Sequence, residues 1–365
     1  MKFTANLAII GLELWLAKHA LAEPIPLPSG KHNVGRSRHL VEFVNSSPVW
    51  PNNVSTEYMV TLFYPTPNEP SEPQPYLEPE LADYYSEQWG LDIAHLTSTM
   101  SMDAPFLTEL GPTLLFSPGA GGPPADGYAI QFSELASHGY VVAALDHLYE
   151  MPFVRLPNGT GVHADFPDVP DVNAYFEVIH ETRVREMLHF IDYLPGLATE
   201  LQAPLNTSHL GAFGFSLGGS AALTAAFKSD AIAAAINQDG SNWNRLNETA
   251  DSDLKKPSFL FGSSVHTEEM DPTWGNYYKW QTGWWRHFNV NYTGHVDFSD
   301  ASYWKKWGTT LPDVSLGPID GQRMGDIVRA YVKAFFDKHL LGQEAPLLEG
   351  ESEEWPEVMF IKSNK

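Results

Sequence analysis

A serine framed by glycines is the first residue of this chain whose setting predicts chemistry. Ser216 lies in GAFGFSLGGSAALTAAF, residues 211–227, after an apolar run that predicts a strand and before an alanine-rich run that predicts a helix. A Gly-x-Ser-x-Gly segment between a strand and a helix is typical of a nucleophile elbow, which presents the serine hydroxyl at the edge of a sheet. Ser216 is therefore the candidate nucleophile.

A serine hydroxyl is a weak nucleophile at neutral pH, so it needs a histidine base, and that histidine needs a carboxylate to orient it. In an elbow of this kind the acid and then the histidine follow the serine along the chain. His295 comes just after the predicted strand HFNVNY, residues 287–292, in a turn with Gly294, and is the candidate base. Three other histidines follow Ser216: His266, His287, which we interpret as structural, and His339, predicted on the surface of the last helix.

Asp239 is the candidate acid because it ends the apolar strand AIAAAINQD, residues 231–239. Its carboxylate would emerge at the same sheet edge as Ser216. The alternative is the loop after PSFLFGSS, residues 257–264, which carries Glu268, Glu269 and Asp271; Glu268 and Glu269 are interpreted as solvated. A single acid at the end of an apolar strand is the better candidate for orienting a histidine.

An oxyanion hole needs two backbone N–H groups, one from the residue after the nucleophile and one from a loop after an early strand. Leu217 supplies the first. The second is expected from SPGAGG, residues 117–122, with Ala120 as the donor between Gly119 and Gly121. Phosphate binding is not favoured, because the loop lacks the spacings of the dinucleotide and P-loop motifs.

The elements that must position these residues predict an α/β fold with a mainly parallel, twisted sheet and helices on both faces. A hairpin, His39–Ser46 and Thr56–Tyr64, comes first. Helices are predicted near Val172–Leu194 and Gln322–Leu341. The strands that alternate with helices are predicted at residues 113–117, 140–146, 210–215, 231–239, 257–264 and 287–292.

The chain is predicted to form a single domain, residues 23–365, after an N-terminal signal peptide. Lys2, an apolar stretch at 5–17 and an Ala-Leu-Ala cleavage pattern at 20–22 are typical of a secretory signal. Within the domain, the proline-rich connector PTPNEPSEPQPYLEPE cannot be regular structure, and it leads into an insert, within 65–105, that we expect to cover the domain.

Secretion would make some of the six Asn-x-Ser/Thr sequons glycan sites. Asn291, in a predicted core strand, is expected to stay bare. The sequons begin at Asn45, Asn53, Asn158, Asn206, Asn247 and Asn291. The chain has no cysteines, which excludes disulfides, thiol chemistry and cysteine–zinc sites.

The net charge of −23 argues against nucleic acids and anionic lipids as partners, and leaves neutral or zwitterionic substrates. No cofactor or metal site is predicted, because the acidic residues near His266 and His295 lack a convincing ligand spacing. Six of the eleven tryptophans lie at 274–307; they predict either core packing or a rim that touches lipid or a zwitterionic interface.

Several of these segments together resemble the secreted platelet-activating-factor acetylhydrolases of the α/β-hydrolase superfamily. They span residues 56–341 and include LFYPT, LLFSPGAGG, LASHGYVVAALDH, GFSLGG, NQDGSNW and the GH of TGHVDFSD. The resemblance implies that the acid follows the strand after the nucleophile helix, as Asp239 does. Phe215 and Pro118 stand where that family usually has histidines, which puts the acyl and head-group preference in doubt.

The sequence thus predicts a secreted, metal-independent serine esterase that removes short sn-2 acyl groups from 1-alkyl-2-acetyl-glycerophosphocholine-like phospholipids. Two alternatives remain: a general carboxylesterase or polyester hydrolase with the same triad, and an inactive hydrolase-fold binding protein. The oligomeric state is left open.

Overall fold

A ten-stranded sheet runs through the centre of the protein. The computed structural model describes residues 22–243, 249–312 and 315–364. We number the strands of the main sheet β1 to β10 in chain order: Asn33–Ser46, Val54–Thr66, Ser101–Met102, Thr113–Ser117, Val141–Asp146, Leu210–Phe215, Ile232–Gln238, Ser258–Ser263, Trp285–Val290 and Val358–Ser363. In space their order is β10-β9-β8-β7-β6-β4-β5-β2-β1-β3.

The centre of the sheet is parallel. Strands β5, β4, β6, β7, β8 and β9 pair in parallel along this order, whereas β1 and β2 form an antiparallel hairpin and β10 closes the other edge antiparallel to β9. Parallel strands place all their carboxyl ends at one edge, where the connecting loops carry functional side chains. The predicted mainly parallel sheet is confirmed.

Helices cover both faces of the sheet. Those of eight or more residues are α1 Pro79–Trp89, α2 Ala129–Ser137, α3 Val172–Glu200, α4 Leu217–Lys228, α5 Pro272–Trp280 and α6 Gly321–Leu341. Successive strand residues point to opposite faces, so Phe213 joins a core with α2 and α6, while Ala212 joins a second core with α3 and α4. Helices pack on both faces of the sheet, as the predicted α/β-hydrolase fold requires.

Several element ends differ from the sequence-based prediction. Helix α3 continues past Pro195 to Glu200, because Leu194 and Leu197 stay buried in the core and hold the helix together after the lost backbone hydrogen bond. Strand β9 begins at Trp285 and ends at Val290, so Asn291 lies beyond it. The prediction missed β10 altogether.

The 65–105 insert packs onto the same core as the sheet. The ring of Tyr85 on α1 contacts Trp304 at a centroid distance of 5.1 Å, and the Tyr76 hydroxyl donates to Asp300 at 2.5 Å. Two short strands, Gln74–Pro75 and Leu96–Ser98, form a small sheet with Glu23–Pro24. The insert is thereby anchored to the beginning of the described chain. The prediction that the proline-rich connector has no regular structure is therefore wrong at Gln74–Pro75, because an edge strand of two residues tolerates proline.

The predicted signal peptide, apart from its last residue, lies outside the described residues, as does the Asn247 sequon. Asn45 is only 6% exposed, and its amide donates to the Thr182 carbonyl oxygen, so it is poorly placed to carry a glycan. Over the described ranges, no helix is both long and apolar enough to cross a bilayer.

Candidate active site

Ser216 occupies a sharp turn between β6 and α4. Its backbone angles, φ 54° and ψ −125°, lie outside the common regions for a residue with a side chain. A Cβ at Gly214 would lie 2.4 Å from the Gly218 carbonyl carbon and oxygen, and one at Gly218 would lie 2.0 Å from the Ser117 carbonyl oxygen. The glycines of the motif are therefore required by close backbone packing around the serine.

The three candidate triad side chains meet at the carboxyl edge of the sheet. The Nε2 atom of His295 lies 2.9 Å from the Oγ of Ser216, and its Nδ1 lies 2.6 Å from the Oδ2 of Asp239. Asp239 directly follows β7, the neighbour of β6, and His295 comes from the loop after β9. Sequence reasoning placed these residues on three separate loops, and the structure brings them into one hydrogen-bonded chain.

Asp239 is an ionised, buried carboxylate. It is 3% exposed, and its Oδ1 accepts the Ser263 N–H at 2.5 Å. Burial alone would raise the pKa of this carboxyl, but hydrogen bonds from His266 and His295 outweigh burial and hold the pKa well below its usual value. The charge that would stabilise an imidazolium at His295 is thus present over the physiological pH range.

The turn that carries His295 is fixed by a second buried carboxylate, Asp297, which is 1% exposed. Its Oδ2 accepts the N–H groups of Gly294 at 2.7 Å and Gly317 at 2.6 Å, and its Oδ1 accepts from the Lys305 ammonium at 2.7 Å. Two backbone segments and a lysine therefore anchor the turn, while the His295 side chain stays 42% exposed.

Both residues predicted as oxyanion donors, Ala120 and Leu217, contribute to one apolar cluster. Leu217 is the first residue of α4, and Ala120 lies in a glycine-rich loop after β4, where Gly121 and Gly122 adopt φ of 75° and 92°. Within the described ranges neither N–H has an intramolecular hydrogen-bond acceptor, so both can donate to an oxyanion.

A buried arginine donates hydrogen bonds to the backbone of the glycine-rich loop that carries Ala120. The Arg183 guanidinium on α3 is fully buried; it donates to the Pro118 carbonyl oxygen and, at 3.3 Å, to that of Gly119. Its Nε and Nη2 also donate to Glu150 at 2.9 and 2.5 Å. The pair satisfies the charges on both side chains and fixes the carbonyls that precede Ala120.

A second serine–histidine–acid chain lies beneath the same loop. The Ser117 hydroxyl lies 2.8 Å from Nε2 of His147, whose Nδ1 lies 2.5 Å from Glu186 Oε2, and all three residues are at most 2% exposed. Burial raises the pKa of Glu186 to about 8 and holds the pKa of His147 well below its usual value. Glu186 is therefore a protonated donor at neutral pH, and this chain is a neutral structural network that fixes the end of β4.

The alternative histidines have other positions. His287 is 1% exposed inside β9, where it contacts Tyr278 and Asn289, and β10 lies beyond it, so it is not at the sheet edge. His339, predicted on the surface, is only partly exposed, because its ring packs on Trp284 at 4.4 Å and Phe335 at 4.8 Å. Trp284, just before β9, covers this part of α6.

The loop that offered alternative acids divides into two parts. Glu268 and Glu269 are exposed, as expected of a solvated loop. Asp271 instead contacts His266, which in turn contacts Asp239. The alternative acid and an alternative histidine are thus both connected to the candidate triad, through its acid.

Two comparisons with known proteins agree with this geometry, although no protein-family model matches the chain. A probable 1-alkyl-2-acetylglycerophosphocholine esterase from Arthroderma benhamiae is 29% identical over 269 residues, which cover 68% of this chain and 66% of that protein. The matched region spans slightly less than two thirds of that relative. A ferulic acid esterase from Streptomyces cinnamoneus matches with a TM-score of 0.80 and 28% identity, over 94% of this chain and 100% of that one. The chain has the α/β-hydrolase fold.

Both of these similar proteins are named as esterases, which supports a carboxylic ester hydrolase. The first also supports the resemblance to the acetylhydrolases that the sequence motifs indicated. No group of side chains suited to hold a metal ion occurs in the part of the chain that the structure describes.

The tryptophan-rich segment, residues 274–307, mostly packs in the core. Trp274 and Trp304 are fully buried and Trp285 is 3% exposed. A different aromatic group, missed in the sequence, borders the oxyanion donors: Leu217 lies in a cluster against which Trp50, Tyr149, Phe176, Trp243 and Ala120 pack. These aromatics come from four distant segments, so no sequence pattern links them.

Proposed function

We propose that the protein is a serine esterase in which Ser216, His295 and Asp239 form the catalytic triad. The hydrogen-bonded chain from Ser216 Oγ through His295 to the buried Asp239 carboxylate carries this proposal. Few arrangements other than nucleophilic catalysis require a serine in a strained elbow next to a histidine oriented by a buried carboxylate.

In acylation, the Oγ of Ser216 attacks the ester carbonyl carbon while Nε2 of His295 takes the hydroxyl proton. The N–H groups of Ala120 and Leu217 donate to the oxyanion of the tetrahedral intermediate. The intermediate collapses as the imidazolium returns its proton to the leaving alcohol, and Asp239 stabilises the imidazolium throughout. Water, activated by His295, then attacks the acyl-enzyme and releases the carboxylic acid and free Ser216.

The proposed substrate is a phospholipid with a short sn-2 acyl group, of the 1-alkyl-2-acetyl-glycerophosphocholine type. The name of the Arthroderma benhamiae relative supports it. The net charge of −23 disfavours anionic partners, and aromatic rings such as Trp50 and Trp243 are suited to a choline cation or an alkyl chain. The reaction needs no metal ion in this proposal, since the triad and two backbone donors supply every step.

Aromatic acyl esters are the second candidate substrate class. The Streptomyces cinnamoneus neighbour is named as a ferulic acid esterase, and the rings near Leu217 would also stack on an aromatic acyl group.

A secreted location, with glycans on exposed sequons, remains part of the proposal. N-terminal sequencing of protein recovered from culture medium would test cleavage after Ala22.

The deciding experiment compares three esters in the presence of a chelator: a 1-alkyl-2-acetyl phosphocholine, methyl ferulate and a soluble acetyl ester. Ser216→Ala is the control. Highest kcat/KM on the phospholipid, abolished by the substitution, is the expected result. Preference for methyl ferulate would replace the lipid with the aromatic ester, and full activity in Ser216→Ala would overturn the triad.

A further inference from the structure

A second histidine contacts the candidate catalytic carboxylate from the side opposite His295. The Nδ1 atom of His266 lies 3.1 Å from Asp239 Oδ1, while its Nε2 lies 2.8 Å from Asp271 Oδ2. His295 contacts the other oxygen of Asp239, Oδ2, at 2.6 Å. The four side chains form a line in the order His295, Asp239, His266, Asp271.

The geometry fixes the protonation state of His266. A neutral imidazole has one N–H and one lone pair, so it can donate to only one of two flanking carboxylates. Asp239 and Asp271 both face ring nitrogens, and only the imidazolium donates to both. Burial opposes this charge, but the hydrogen bonds with Asp239 and Asp271 outweigh it and raise the pKa of His266 to about 9.

The ring of His266 is held rigidly. It stacks on Trp274 of α5 with a centroid distance of 3.8 Å and an interplanar angle of 27°, and its backbone carbonyl oxygen accepts from the Asn289 amide at 2.9 Å. Asp271 is held as well, since it caps α5 by accepting the Thr273 N–H at 2.9 Å. Contacts with two elements, α5 and β9, therefore hold His266 in its position against Asp239.

The other titratable groups near His266 do not place a positive charge against Asp239. His287 on β9 contacts the edge of Trp274 at 4.7 Å, and burial lowers its pKa to about 4, so it is neutral. Lys362 of β10 pairs at the surface with Glu268, at 3.1 Å. Within the described ranges, the basic side chains that contact Asp239 are those of His266 and His295.

We propose that His266 is a positioning residue for the triad: it holds Oδ1 of Asp239 so that Oδ2 faces His295, and its positive charge limits how strongly Asp239 attracts a proton to His295. The inference rests on the proposed triad. The Ser263 N–H also holds Oδ1, at 2.5 Å, so the contribution that His266 alone makes is its charge. Without this cation, the negative charge of Asp239 would act on His295 uncompensated, with that of Asp271 behind it, and the base would stay protonated, hence inactive, to higher pH.

The test uses the pH dependence of Ser216 labelling by a fluorophosphonate, which requires a free His295 base but no particular ester. His266→Gln keeps an N–H donor without the charge, and His266→Phe keeps the ring on Trp274 without either. In both variants we expect the acid limb of the labelling rate to move upward by about half a pH unit or more. The kcat/KM for a soluble acetyl ester should move in parallel.

His287→Phe is the matched control, because His287 contacts the same Trp274 and is also buried but does not contact Asp239. Its acid limb should coincide with that of the wild type even if its melting temperature falls. Coincident acid limbs in His266→Gln, His266→Phe and the wild type would overturn the inference, as would an equal shift in His287→Phe. A wild-type protein that is not labelled at all would instead overturn the proposed function.

A measurement on the unaltered protein covers the case in which the His266 variants do not fold. Nitrogen NMR of ¹⁵N-histidine-labelled protein should show one imidazole that stays doubly protonated at pH 8. Asp271→Asn, in which asparagine still caps α5, should lower the pH at which that signal titrates. Absence of such an imidazole at pH 8 contradicts the proposal.

Discussion

The ring of Phe215 packs against the imidazole of His295, with the two centroids 4.7 Å apart. On its other side the ring borders the oxyanion loop, where a Cβ at Gly119 would lie 2.8 Å from two of its carbon atoms. Phe215 thus contacts both the candidate base and the loop that carries Ala120. This is one of the two positions where the resemblance to the acetylhydrolases leads one to expect histidine.

Phe215→Ala should lower activity beyond its effect on stability. Deleting a buried phenylalanine typically costs about 3–5 kcal/mol of unfolding free energy. Phe213→Ala is the matched control, since Phe213 lies two residues earlier on the same strand face and contacts Phe116 and Phe336 but not His295. We expect similar losses of stability in urea, and a fall of kcat only in Phe215→Ala. Equal kcat in the two variants would contradict this role.

Asp239→Asn should abolish most turnover while the fold persists. The amide cannot stabilise an imidazolium and favours the wrong tautomer, so kcat should fall by about 10³- to 10⁴-fold. Because the pKa of Asp239 is held below its unfolded value, the carboxylate contributes stability at neutral pH that is lost as the pH falls below about 4. Chemical denaturation of both proteins between pH 3 and 7 should show that the free energy of unfolding falls more steeply with decreasing pH in the wild type than in Asp239→Asn.

Arg183→Met should damage both stability and the oxyanion loop. Removing one partner of a buried ion pair costs about 3–5 kcal/mol, because the other charge, here Glu150, is left unpaired. The double variant Arg183→Met/Glu150→Gln should regain part of the stability. Its kcat should stay low, because the Pro118 and Gly119 carbonyls still lack their donor. Recovery of kcat together with stability would show that Arg183 does not act on the loop.

Glu186→Gln should be tolerated, because the wild-type side chain is a protonated donor at neutral pH. Burial raises the pKa of Glu186 to about 8 in the folded protein. As the pH rises from about 4.5 to 8, the carboxyl ionises in the unfolded chain but not in the folded one, so the free energy of unfolding falls progressively. Glutamine retains a donor towards His147 and does not ionise. Chemical denaturation should therefore show the variant gaining on the wild type across that pH range, and a parallel pH dependence of the two would contradict it.

Local patterns in the sequence predicted most of the fold because each parallel strand is a short apolar run. The bounds of β4 and β6 agree with the prediction to the residue, and α6 begins one residue early at Gly321. Strand β10 was missed because its residues, VMFIKS, are only partly buried and pair at the edge. The extension of α3 past Pro195 was missed because tertiary packing overrides a local helix breaker.

The site shows the same division between local and long-range information. Ser216, Asp239 and His295 each end or follow a recognisable element, so their order and setting could be read from the chain. His266 and Arg183 act through partners 27 and 65 residues away, and no local pattern marks such contacts. The aromatics near Leu217 were missed for the same reason, since they converge only in the folded protein.

Ser117 and Ser216 both stand in a chain of serine, histidine and acid, yet only the second reaches solvent. A geometric template for such chains would find two matches in this protein, and their distances alone would not separate them. Solvent exposure separates them, because Ser117 is fully buried, whereas the imidazole of His295 next to Ser216 is substantially exposed. A serine-directed covalent inhibitor should therefore saturate at one equivalent per chain, and peptide mass analysis should locate it on the elbow.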